Sequence, residues 1–124
     1  MRKLLFLFSS LLLVAGVFGK AGADDQIKFE KISYAFGRVP KDKPVSVEFS
    51  FTNTGKKPLI IEDATAECGC TKPEFPQKPI MPGKQGVIKV TYDAKEPGVF
   101  NKKVTVKLVN EPESKILTIS GEVI

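Results

Sequence analysis

The chain has 124 residues, two cysteines and no histidine, and its 19 basic against 14 acidic side chains give a net charge of +5. Without histidine it offers neither a Ser-His-Asp triad nor a Cys-His pair, which excludes the usual hydrolase and thiol-protease chemistries. The lysines are spread along the chain, whereas a nucleic-acid binder concentrates its charge in one footprint.

Met1-Arg2-Lys3 places positive charge ahead of an apolar run from Leu4 to Phe18, broken only by Ser9, Ser10 and Gly16. Ala21-Gly22-Ala23 then offers an A-x-A cleavage site before Asp24-Asp25. Charged, apolar and small-residue regions in that order form the secretory signal pattern. The apolar run is about 15 residues, short of the roughly 20 that span a bilayer. Residues 1–23 are therefore expected to be a signal peptide that is removed, leaving no stable membrane anchor. Losing Arg2, Lys3 and Lys20 lowers the basic count from 19 to 16 against the same 14 acids, so residues 24–124 carry about +2. About a hundred residues suit one domain with a single modest core. Periplasmic or secreted residence is the expectation, in a compartment that permits oxidation of the thiols.

Strand periodicity dominates the remainder. Ile27–Tyr34 and Phe36–Val39 read as one strand broken near Gly37. In 44–53, Val45, Val47, Phe49 and Phe51 alternate with Ser46, Glu48, Ser50 and Thr52, the signature of one buried and one wet face. Asn53-Thr54-Gly55-Lys56-Lys57-Pro58 supplies turn chemistry, and Leu59–Ala66 continues as a strand. Ile88, Val90 and Tyr92, then Val104, Val106 and Leu108, then Leu117, Ile119 and Val123 mark the inward faces of three later strands. Ile116 and Ile124 fall on the opposite face from Leu117 and Ile119, a candidate apolar patch or partner-receiving edge. Lys89, Lys103 and Lys107 alternate outward and discourage edge-to-edge pairing. About seven short strands separated by turns predict an all-β, antiparallel sandwich.

Residues 67–86 break the rhythm. Pro73, Pro76, Pro79 and Pro82 recur there, and proline fixes φ and removes a ladder donor, which predicts an extended, unpaired segment. Long unstructured connections are often functional. A crossover between sheets, closed by Pro82-Gly83, is a compatible reading.

Several pieces occur in a recognisable order: Phe36-Gly37-Arg38-Val39, Phe49 through Leu59, Cys68-Gly69-Cys70-Thr71, Pro79 through Gly83, and Leu117-Thr118-Ile119-Ser120-Gly121. Over roughly residues 36–123 the chain resembles the bacterial family catalogued as domain of unknown function 1573. Asn-Thr-Gly-x-x-Pro-Leu and Cys-Gly-Cys-Thr are the specific elements. The resemblance implies an immunoglobulin-like sandwich exported across the inner membrane, and it implies no biochemical activity.

Cys68, Gly69, Cys70 and Thr71 form the candidate binding or redox site. Two Cα atoms two extended residues apart lie about 6.6–7.2 Å from one another, so a Cys68–Cys70 bridge requires a bend at Gly69. Such a three-residue ring contributes only about 1.6 kcal/mol through loop closure, and a bond of that kind is easily reduced. Thiol exchange has Lys72 as the nearest positive charge and Glu67 opposing it, but lacks the C-x-x-C spacing at a helix start. A soft Cu(I) site would use Cys68, Cys70 and Met81. Zinc, without histidine, would have a poor ligand set. Inert packing of both sulfurs is the remaining reading. No serine sits in a nucleophile elbow, and Glu48 and Glu62 belong to solvated strand faces. The sequence thus predicts a non-catalytic binding or scaffolding domain that engages an unidentified envelope protein through 68–83, with no nucleic acid and no cofactor. A thiol-redox or Cu(I)-handling accessory protein is the alternative.

Overall fold

In the computed structural model, residues 26–124 are described, and they form eight strands with no helix. The strands are β1 (Ile27–Phe29), β2 (Ser33–Val39), β3 (Val45–Asn53), β4 (Ile61–Ala66), β5 (Thr71–Glu74), β6 (Gln85–Tyr92), β7 (Gly98–Leu108) and β8 (Lys115–Val123). The expected signal peptide and its cleavage site lie outside the described residues.

The strands make two four-stranded sheets, ordered β1-β3-β6-β5 and β2-β8-β7-β4. Their inward faces supply the core. Phe49, Phe51, Ile88 and Val90 from the first sheet meet Val104, Val106, Leu108, Leu117 and Ile119 from the second, all essentially sealed from water. Each of these sits at the parity that alternation assigns inward. The all-β sandwich expected from the sequence is what forms.

Three features differ in detail from the sequence reading. The first strand is in fact two: β1 pairs with β3 in one sheet, and β2 pairs with β8 in the other. The chain changes sheets between Phe29 and Ser33, and Ile27 and Val39, one from each sheet, enter the same core. Gly37, expected to break the strand, instead carries a register irregularity within β2, with φ of 78°, a bulge that glycine tolerates. Secondly, β2 and β8 run parallel, the one parallel pair among otherwise antiparallel neighbours. Parallel pairing demands a long connection, and these two strands are separated by most of the domain. Thirdly, Thr71–Glu74 is paired with β6, not unpaired. Pro73 is tolerated because β5 lies at the edge of its sheet, where only one side of the strand needs donors.

Asn53 ends β3 and is fully buried. Its Nδ2 donates to the carbonyls of Lys57 (2.8 Å) and Ile80 (2.7 Å), while Oδ1 accepts the N–H of Gly55 at 2.9 Å. One side chain thereby ties the β3–β4 turn to the segment that precedes β6. Leu59 and Ile80 exchange backbone hydrogen bonds beside it, both at 2.8 Å.

Candidate functional site

The Cys-Gly-Cys turn is where the chain passes from β4 in one sheet to β5 in the other, the crossover compatible with the sequence pattern. The N–H of Thr71 donates to the carbonyl of Cys68 at 3.3 Å, which closes a tight turn over Gly69. That bend brings the Cys68 and Cys70 Cα atoms to 5.2 Å, and the two residues are joined as a disulfide. The approach is well inside the extended-chain separation, as the bridge required.

The turn is anchored on both sides. The N–H of Asp93, just past β6, donates to the carbonyl of Cys70 at 2.9 Å. On the other flank the Glu67 carboxylate accepts the N–H of Lys103 at 2.9 Å, so Glu67 is occupied by the backbone of β7. Thr71 is only 4% exposed, and its Oγ1 lies 3.5 Å from Cys70 Sγ and 4.0 Å from Cys68 Sγ. A buried hydroxyl therefore faces the bridge from the core side. Cys70 also packs against the hydrophobic core.

Two shallow grooves flank the bridge. One, of about 360 Å³, is bordered by both cysteines with Tyr92, Lys95, Glu96 and Lys102. The other, of about 400 Å³, runs past Pro44, Gly69, Cys70, Lys72 and Glu74. Tyr92 forms the floor of the first, its ring stacked on Phe100 with centroids 4.0 Å apart and planes 15° from parallel. Burial, with smaller contributions from Asp93 and Glu96, raises the Tyr92 phenol above the ordinary tyrosine value. Beside it Ala94 is completely buried at a φ of 56°. A non-glycine residue held there costs of the order of 1–3 kcal/mol. Its carbonyl accepts the N–H of Asp42 at 2.8 Å, and the Asp93 carboxylate accepts the N–H of Lys95 at 3.1 Å.

Cys68, Gly69, Cys70 and Thr71 are thus assembled as one site, with Lys72 exposed next to it. Met81 is not part of it. It precedes Gln85 at the start of β6, whereas the cysteines adjoin Tyr92 at its far end, and eight paired residues put roughly 23 Å between those ends. The Cys68, Cys70, Met81 set of the Cu(I) alternative is therefore not brought together, because the Leu59–Ile80 bridge and Asn53 hold that part of the loop at the opposite pole. Met81 is 53% exposed. Among the described residues no three His, Cys, Asp or Glu side chains converge on a point suited to a metal ion.

Ile116 and Ile124 are exposed, at 42% and 61%, but one stands near the start of β8 and the other just past its end, so they form no continuous patch. The outward lysines divide between the sheets. Lys89 faces Glu48 and Glu74 across its strand, and Lys107 pairs with Glu62 at 3.6 Å. Lys95 and Lys102 are the site residues that sequence reasoning missed. For Lys102 a signal existed, since it shares the parity of Phe100 and Val104 and so falls on the inward face, where the sandwich end opens into the groove. Lys95 lies within the β6–β7 loop, whose course no periodicity reports.

A family model described as "Protein of unknown function (DUF1573)" matches residues 27–123. No curated protein matches the sequence significantly. Among solved structures the fold is similar to an ASH/PapD-like domain of human CEP192, at 11% identity and a TM-score of 0.68, covering 94% of this chain and 96% of that one. It is also similar to a protein of unknown function from Porphyromonas gingivalis W83, at 10% identity and a TM-score of 0.66, over 77% of this chain. The secreted serine protease VesC of Vibrio cholerae is a further match, at 8% identity and a TM-score of 0.60, over 82% of this chain. The chain spans 46% of the Porphyromonas protein and 24% of VesC. At such identities the likeness is one of architecture.

Proposed function

The chain belongs to the DUF1573 family, and from that premise we propose that it is a non-catalytic binding or scaffolding domain, exported to the bacterial envelope, that engages a protein partner through residues 68–83. The observation that carries this reading is the position of that segment. Its first part, residues 68–74, carries the cysteine turn and the free edge strand β5, beside the two grooves. Lys72 and Glu74 project from the edge, and Phe75 and Ile80 are only partly covered. An edge strand with half-buried apolar neighbours suits recognition of an extended segment or a complementary surface. Export rests on the charged, apolar and small-residue order of residues 1–23. The absence of histidine and the outward placement of Glu48 and Glu62 support a role without catalysis.

Site-specific photo-cross-linking in cells tests the surface. A photoreactive residue at Lys72 or Gln77 is expected to give a discrete adduct with an envelope protein, and one at Lys107, on the other sheet, is not. Adducts from Lys107 and none from Lys72 or Gln77 would transfer the contact to the opposite sheet. Recovery of the chain in the cytoplasmic fraction with residues 1–23 intact would overturn the export component.

A further inference from the structure

We propose that the Cys68–Cys70 disulfide is an exchange site for protein thiols, in which Cys68 is attacked and Cys70 leaves with help from the Thr71 hydroxyl. This goes beyond the binding reading, which stands even if the pair is inert. Ring size is the first consideration. A bridge spanning only Gly69 restricts the unfolded chain little, and this fold is held chiefly by its core and two sheets. A disulfide that contributes so little to stability has little to keep it oxidised against an incoming thiol.

The surroundings are the second. The bridge is not sealed in: both sulfurs border the groove formed with Tyr92, Lys95 and Lys102. Lys95 and Lys102 on this wall are matched in number by Asp93 and Glu96, so access and not net charge is what the groove offers an incoming thiolate. The two sulfurs are not equivalent. Cys70 packs against the core, its carbonyl is fixed by the Asp93 N–H, and its Sγ is the closer to Thr71 Oγ1, at 3.5 against 4.0 Å. A buried hydroxyl at that position donates to the sulfur on which negative charge develops. Hydrogen bonds to charged acceptors are the stronger kind, so cleavage is biased to release Cys70.

The step balances as follows. A partner thiolate attacks Cys68 Sγ, a partner–Cys68 disulfide forms, and the Cys68–Cys70 bond breaks with its electron pair on Cys70 Sγ, which takes a proton from water. A second partner thiol, on losing its proton, attacks the partner's sulfur in the mixed disulfide and releases the Cys68 thiolate. The partner dithiol is oxidised by two electrons and the cysteine pair is reduced by two. The co-reactant is therefore a protein dithiol.

The experiment treats the oxidised, folded chain with millimolar reduced glutathione, quenches with acid, and maps the adduct by mass spectrometry. Mixed disulfide on Cys68, in at least tenfold excess over Cys70, is the expected result. Thr71→Val should slow its formation about tenfold, the effect of one hydrogen bond to a charged sulfur, and Thr71→Ser should restore the rate. Adduct on Cys70, or equal labelling, overturns the assigned direction. An unchanged rate in Thr71→Val overturns the role of the hydroxyl. No exchange over hours in the folded chain, with ready exchange in urea, overturns the proposal as a whole. Should Thr71→Val fail to fold, the adduct map of the wild-type chain and the Thr71→Ser rate still decide it.

Discussion

Single side chains here do work that the motif around them conceals. Asn53 opens the Asn-Thr-Gly-x-x-Pro-Leu element, and all three hydrogen bonds of its side chain go to backbone groups of the two loops it joins. A signature residue of this kind reports on folding and not on a ligand, which is one reason the family pattern names an architecture and no activity. Replacing Asn53 with Ala leaves the Lys57 carbonyl and the Gly55 N–H without their partner, while the Ile80 carbonyl keeps the Leu59 N–H, at about 1–3 kcal/mol for each group lost before relaxation. A loss near 3 kcal/mol in denaturant unfolding is expected. Asn53→Asp should be no milder, since it sets carboxylate oxygen against the carbonyls of Lys57 and Ile80. Tyr92 makes a pH prediction. Its phenol is raised in the folded protein, chiefly by burial, so folding favours the neutral form. That contribution is fully present below the unfolded tyrosine value, about 10, and is lost as pH rises through the folded one. Denaturation midpoints should fall more steeply between pH 9 and 11 for the wild type than for Tyr92→Phe. Equal slopes would show that the phenol is not held neutral.

Among the elements, β2 and β8 are fitted to one another by two glycines. A Cβ on Gly121 would lie 2.8 Å from the carbonyl oxygen of Gly37 and 2.8 Å from two atoms of the Phe100 ring. The Phe-Gly-Arg-Val and Leu-Thr-Ile-Ser-Gly motifs are thus two halves of one close approach. Gly121→Ala should cost about 1–3 kcal/mol through forced displacement of that ring or of the β2 bulge, measurable as a lowered denaturant midpoint with unchanged slope. Periodicity made β3, β6, β7 and β8 legible because each buries one face and wets the other. It failed at β5, where Pro73 argued against pairing and only the neighbouring edge position permits it. It failed again between Phe29 and Ser33, since the Glu30-Lys31-Ile32 connection carries no glycine or proline to mark a change of sheet. At the site, the sequence put the two sulfurs and Thr71 together, being adjacent in the chain. It had no means of placing Lys95, Lys102 and Tyr92 around them, or Met81 at the far pole, because those positions follow from which strands pair.

At the scale of the whole domain, β8 is an interior strand of its sheet, joined to β2 on one side and to β7 on the other. It also supplies Leu117, Ile119 and Val123 to the core. Deleting residues 115–124 should therefore abolish cooperative unfolding altogether, leaving β2 with no partner in its own sheet. A truncated chain that kept a sharp thermal transition by circular dichroism would contradict this. The contacts that define the fold are distant in sequence, so folding is expected in the slower range for domains of this size. The parallel β2–β8 seam has a bearing on timing as well. A polypeptide made from its amino end presents β2 early, but the strand that must lie against it is synthesised some eighty residues later. Until the ribosome has released that stretch, half of the sandwich has nothing to close upon, and the growing chain stays loose. For the export proposed above, a chain that cannot close early is one that a narrow translocation pore could still thread.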